Sequence, residues 1–428
     1  MKNLQISAAV CAALLGSSGA FALNQAQTAA APLQLVVAGS SAARDTFQTE
    51  FAALCQAGTV NNYRVDVNNA PDFRAYSCTL NNAAPVPAAI RNTNTTIYYR
   101  SEGGSVWGPG AIGGSKSIKR LLVDGTCSLV AAPGFGICTA TYTLDTDAAT
   151  GHLTNSLVDL GVADEEPGMF RGENWFGGAL GDEPAPGALE ALPNSPGFGQ
   201  VFGILVNNSV PLTSISKQDV ASIFAGVYTN WNQVQDASGN PLASGDITVC
   251  RREAGSGTQN SAAIYFLAQN CGVSSTPFVT GGDTNTGPFG NPVFTNASTS
   301  SLETCVGGHT GSIGMNVFKS PAANASTKYI AIDGVAPSKV AAAQGKYAYW
   351  MESSFAKRNG LSANQTALAD FLIGRAQSHT TISGTSASAF ALPNISDNAA
   401  VLPVAGSGVP TAVATKSGNT CNVPVGQN

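Results

Sequence analysis

Three times along this chain an apolar run ends in a glycine or a short polar loop and gives way to a helical pattern. "LQLVVAG" from Leu33 to Gly39 reads as a buried strand, and "SAARDTFQTEFAALC" then sets Phe47, Phe51 and Leu54 at helical spacing. "VFGILVNNSV" is followed by the amphipathic "SKQDVASIFAG", with Ser216 as N-cap. "DITVCRR" leads through Gly255–Thr258 into a helix from Gln259 to Gln269, with Ala263, Phe266 and Leu267 on one face. Strands alternating with helices predict an α/β architecture with mainly parallel sheets. In such folds ligands collect at the loops beyond the carboxyl ends of the strands.

Other segments fill in the pattern. "TTIYYR" and "TGSIGMNVF" read as strands, "SLVDLGVADEEP" as an apolar run leading into an acidic loop, and "SANQTALADFLIGRA" as a late helix. Residues 56–96, rich in Asn, Ala and Pro, read as an insertion or an irregular region. After about Ser378 the chain turns small, polar and proline-spotted, which predicts either an extended tail pinned by Cys421 or a partly disordered one.

With 428 residues the chain is long enough for two domains. Its first 22 residues place Lys2, an apolar run and Ala20-Phe21-Ala22 in the order of an export signal cut after Ala22. A soluble periplasmic or secreted protein is the expectation, because no later segment has the roughly 18 consecutive apolar residues of a membrane span. The signal removes one of 21 basic residues and none of the 26 acidic ones, leaving a net charge of about −6. That balance argues against nucleic acid and anionic membranes as partners.

Eight cysteines follow the signal: Cys55, Cys78, Cys127, Cys138, Cys250, Cys271, Cys305 and Cys421. An even number in an exported chain predicts disulfides, and Cys55 with Cys78 and Cys127 with Cys138 are the pairs expected to close local loops. With no CxxC spacing and three scattered histidines, no metal centre is expected. Nor is a cofactor expected. "GPGAIG" at 108–113 formally matches a dinucleotide fingerprint, but it lacks a firm preceding strand and a clear βαβ unit.

The stretch "CRREAGSGTQ" carries the strongest chemistry. A Gly-Ser-Gly-Thr turn between strand and helix exposes unpaired N–H groups, adds two hydroxyls, and follows an arginine fork suited to an oxyanion. Taken alone, the turn is more readily read as a plain connection. In "GVADEEP", Asp164 lies nearest the strand end and can face a cleft, whereas Glu165 and Glu166 read as a solvated turn. "SIFAGVYTNWNQV" reads as a helix end capped by Gly226, with a packed Trp231.

In order and content, "VVAGSSA", "GGS", "GVADEEP", "VFGILVNN", "SIFAGVYTNWNQV", "ITVCRREAGSGTQ", "TGSIGMNVF", "IDGVAPS" and "GKYAYW" resemble the phosphate-binding proteins of ABC transporters, of the type II periplasmic binding protein superfamily. The resemblance implies two α/β lobes joined by two crossover strands, with a ligand cleft between them and disulfide-containing insertions added. It places lobe 1 at 23–206, with insertions near 56–96 and 106–160, and again at 314–377. Lobe 2 is expected at 207–313 and a C-terminal extension at 378–428.

The resemblance also implies a ligand set. Ser41 and the backbone of Ala42 fall at the first-loop position, and Ser105 at the position after the second strand. Asp164 is the acceptor for the proton of hydrogen phosphate, Arg252 is the cation, and Ser256, Gly257 and Thr258 are the helix N-terminal donors. Arg251 is a neighbour. Ala254 stands where that family often has an aspartate, and Glu253 is expected by its position to point elsewhere.

The expectation is therefore a monomeric, non-enzymatic binding protein for inorganic phosphate or a similar tetrahedral oxyanion, with an ABC permease as its candidate partner. A secreted phosphatase is the competing enzyme reading, although the sequence shows no metal-ligand cluster and no nucleophile with a nearby base. A surface protein that kept the fold and lost the ligand is the third.

Overall fold

The computed structural model describes residues 22–65, 72–129, 135–272, 275–281, 287, 290–377, 388–392, 401–403, 410–412 and 414–426. Apart from Ala22, the export signal read at 1–22 lies outside the described residues. Among the described residues no helix is long and apolar enough to cross a membrane.

Among the described residues, a mixed sheet of fifteen strands organises the α/β fold. Two parallel trios form its two sides. In one, Leu33–Gly39 pairs in parallel with both Leu160–Ala163 and Asn94–Arg100. In the other, Thr248–Arg252 pairs in parallel with both Ser312–Val317 and Val293–Asn296. Between the trios run two long antiparallel strands, Asn194–Asn207 and Trp350–Lys357, which pair with each other and with one edge of each trio.

The apolar side chains sort into separate cores on the two sides. Leu33, Leu35, Val37, Ile97, Leu160 and Val162 pack under the helices Arg44–Ala52 and Ala363–Ala376. On the other side Ile204, Val206, Val249, Ile313 and Met315 pack with Phe224, Trp231 and Val306. Each fully buried aliphatic side chain of this kind contributes about 1.5–3 kcal/mol. The changeover falls within the two long strands: Phe198 and Phe355 belong to the first core, Val201 and Met351 to the second. The strand Ser312–Val317, assigned to lobe 1 from residue 314 onward in the sequence reading, and the strand Thr327–Ile332, assigned to lobe 1 throughout, thus share their core with residues 201–306.

Residues 56–96 are not irregular where they are described. They hold the strands Asn61–Val65 and Phe73–Thr79, which extend the main sheet antiparallel beside Asn94–Arg100. Their alternation is short and interrupted by polar residues, but Tyr63, Val65, Phe73 and Ala75 are buried beneath a hairpin layer. Among the described residues there are four disulfides, Cys55–Cys78, Cys127–Cys138, Cys250–Cys305 and Cys271–Cys421, and the first two are the local pairs expected. Trp231 is packed as read, with its indole N–H donating to Gly311 O at 2.8 Å.

Candidate anion-binding site

The carboxyl ends of four strands, three from one trio and one from the other, deliver the candidate residues. Gly39 opens into Ser40, Arg100 into the loop that ends at Ser105, Ala163 into Asp164, and Arg252 into Gly255–Thr258. Three antiparallel pairings separate the trios, so the two run in opposite senses, yet the loops beyond their carboxyl ends, where ligands collect in α/β folds, come together.

They meet closely. The Asp164 amide donates to Ser105 Oγ at 3.3 Å. From the other trio, Gly257 sits so near that a Cβ there would lie 2.4 Å from both Asp164 Oδ2 and Ser105 Oγ. Val106 N–H donates to Gly255 O at 2.9 Å, a backbone hydrogen bond from one side to the other. Gly255, at φ +83°, supplies a left-handed turn that a side chain would oppose, and Val106 fills the space where that side chain would go.

Gly257→Ala is accordingly expected to push the two sides apart. Loss of about 1–3 kcal/mol of stability follows from overpacking, and a lowered midpoint in thermal denaturation checks it.

The helix Gly257–Leu267 starts at this junction. Ser256 caps it, its hydroxyl accepting from Gln259 N–H. Sequence reading gave this helix one apolar face, yet Gly257 to Ile264, Phe266 and Leu267 are all buried. A helix wedged between two packed bodies is covered all round, whatever its pattern.

Ser105, Asp164, Arg252, Ser256, Gly257 and Thr258 are all buried here. Ser41 lies half-buried on the first loop, and Ala42 packs against the second core. The hydroxyl that reaches Asp164 Oδ1 belongs instead to Ser40, which sequence reading missed. Ser40 Oγ also accepts from Ala43 N–H at 3.0 Å, in the turn just before the helix Arg44–Ala52. Two adjacent serines left only strand register to tell them apart.

Arg252 is fully buried. Its Nε donates to Asn296 O and its Nη2 to Ala297 O, each at 2.9 Å, while Nη1 has no protein partner among the described residues. Thr258 Oγ1 is also buried without a partner there. Leaving such groups unpaired costs about 1–3 kcal/mol each, and more for a charged group. Arg251 is spent differently, with Nη1 on Val279 O at 2.8 Å and the guanidinium over the Phe278 ring.

The carboxylates around this cation are perturbed by burial. Asp164 is pushed up to about 6, with Ser40, Arg252 and Ser105 opposing the shift. Glu253 is pushed up to about 8, with Arg252 opposing. Contrary to the sequence expectation, Glu253 does turn toward the cation, its Oε1 lying 3.8 Å from Arg252 Nη2.

Glu165 and Glu166 do not form a solvated turn. Glu165 is fully buried with both carboxyl oxygens unpartnered among the described residues, and burial together with Asp164 and Glu166 raises it well above the carboxylate range. Glu166 accepts from Thr420 N–H at 2.8 Å, because the C-terminal tail covers this loop. Neither feature is visible locally, since the covering residues lie 254 positions away.

Two α/β bodies with separate cores, bridged by paired strands and meeting at strand-end loops, define a two-lobed α/β fold. Residues 200–398 match the model of a PBP superfamily domain. No curated protein matches the chain.

Among solved structures, similarity is found to a putative phosphate ABC transporter substrate-binding protein with bound phosphate from Clostridium perfringens. The identity is 12%, with 84% of this chain and 100% of that one covered and a TM-score of 0.49. An ABC-type phosphate transport receptor from Vibrio cholerae shows 13% identity, the same coverage of both chains, and a TM-score of 0.43. A high-affinity periplasmic phosphate-binding protein bound with phosphate shows 11% identity over 84% of this chain and 91% of that one, with a TM-score of 0.45. Likeness at this level leaves function to be argued from the site's own residues.

Proposed function

We propose that this chain is an exported solute-binding protein that takes up phosphate or a similar tetrahedral oxyanion between its two α/β bodies. The observation that carries this reading is the fully buried Arg252, with Nη1 unpartnered among the described residues, in company with the unpartnered Thr258 hydroxyl at the start of a helix. A buried cation with a free donor, beside a helix N-terminus, suits an oxyanion on grounds of charge and hydrogen bonding alike.

On this reading Arg252, Ser256, Thr258 and the Gly257 backbone donate to the anion, as do Ser105 and the Ser41–Ala42 loop. Asp164 accepts the one proton that hydrogen phosphate carries and sulfate lacks. Since these groups pack directly on one another, the two sides must separate to admit a ligand and then close over it.

Asp164→Asn tests the assignment. Removing a charge-assisted acceptor costs about 1.5–3 kcal/mol. Phosphate affinity should therefore fall roughly tenfold to a hundredfold by titration calorimetry, while sulfate affinity stays level or rises. Equal loss for both anions would remove Asp164 from the role of selector.

A further inference from the structure

The C-terminal tail beyond the matched domain touches three separate parts of the fold. On the crossover strand Trp350–Lys357, Glu352 Oε1 accepts from Thr415 Oγ1 at 2.8 Å and from Lys416 N–H at 2.7 Å, and Glu352 Oε2 accepts from Gly418 N–H at 2.7 Å. On the loop that carries Asp164, both oxygens of Glu166 are taken by Thr420, one by its amide and the other by its hydroxyl. On the far side, Cys421 is joined to Cys271, four residues after the helix that begins at Gly257.

Lys416 is buried in the middle of this path. Its ammonium lies over the Trp350 ring and within reach of Thr420 O. The tail is therefore packed into the molecule as well as tethered at its end.

Glu352 stands at the changeover between the cores, since Met351 packs in the second and Phe355 in the first. Glu166 belongs to the first side and Cys271 to the second. Nearby, Asn270 Nδ2 already donates to Met169 O at 2.9 Å, so the tail fastens a place where the two sides meet.

We propose that residues 414–421 are an interlobe strap: Thr420 positions the Asp164 loop through Glu166, and the Cys271–Cys421 bond ties that loop to the opposite side, opposing its opening. Bridging the two bodies at the hinge and near the ligand loops raises the cost of separation. Thr420 is thus a positioning residue for the candidate site. That the site holds an anion rests on the function proposed above, whereas the strap can be read without any ligand.

The reporter is the Val106 amide, whose bond to Gly255 O crosses between the sides. Its hydrogen exchange should be at least tenfold faster in Cys271→Ser/Cys421→Ser than in the parent protein, with no ligand added. Thr420→Val, which keeps the disulfide, should give a smaller acceleration of at least threefold, and it decides the matter if the double variant does not fold. Exchange within twofold of the parent protein in the folded variants overturns the strap. Titrating inorganic phosphate into the parent protein separates the two claims: absence of binding there defeats the anion reading and leaves the exchange result to judge the strap.

Discussion

Arg252→Gln is expected to lower phosphate affinity by roughly 30-fold to several thousandfold, the equivalent of about 2–5 kcal/mol for truncating one partner of a buried charged pair. The size follows from position. Arg252 is fully buried, its other nitrogens are held by Asn296 O and Ala297 O, and the remaining Nη1 has no competing acceptor among the described residues. Glutamine cannot supply a forked cation on that fixed frame. Arg251→Gln provides the contrast, because its donors already serve Val279 O and Arg252 O. It should cost stability with little loss of affinity, and calorimetry on both variants distinguishes the neighbours.

The second large effect is on pH dependence. Asp164 rises from 3.8 to about 6 and Glu253 from 4.5 to about 8, both through burial. Between the unfolded and folded values the native state holds more protons than the unfolded chain, so stability falls as pH rises through that window. The contribution is fully present below about pH 4 and is lost as pH climbs through 6 and then 8. Glu165, raised for the same reason, acts with the same sign.

Asp72 works the other way at the acid end. Held near 2 by Arg44 and Arg74 against the effect of burial, it contributes stability above pH 4 that is lost as pH falls through 2. The ligand-free protein should consequently be least at risk near pH 4–5. It should lose on the order of 3–5 kcal/mol between pH 5 and pH 8, seen as a falling denaturation midpoint. Glu253→Gln should flatten the upper part of that fall.

Much of the architecture was legible because strand and helix periodicities are local. The Leu33–Gly39 and Thr248–Arg252 strands and the turns after them follow from apolar runs broken by small residues, and those turns hold most of the candidate site. Cys55–Cys78 and Cys127–Cys138 were legible for the same reason, each closing a short segment. What escaped depends on distant partners. Cys250–Cys305 and Cys271–Cys421 join residues 55 and 150 positions apart. Glu165 and Glu166 read as solvated until a tail from the far end of the chain covers them. Asn61–Val65 and Phe73–Thr79 are polar enough to pass for loop, and only the neighbouring strand makes them sheet. Ser40 and Ser41 differ by one step of register, and that step decides which hydroxyl reaches Asp164.

The central claim is that the buried junction of Ser105, Asp164, Arg252 and Gly257 is built for an oxyanion. Titration calorimetry of inorganic phosphate into the protein, first stripped of anions by unfolding and refolding, tests it most directly. Saturable heat at one phosphate per chain, with sulfate bound far more weakly, is the predicted result. No heat with phosphate, arsenate or sulfate on a protein that has regained its fold would contradict it.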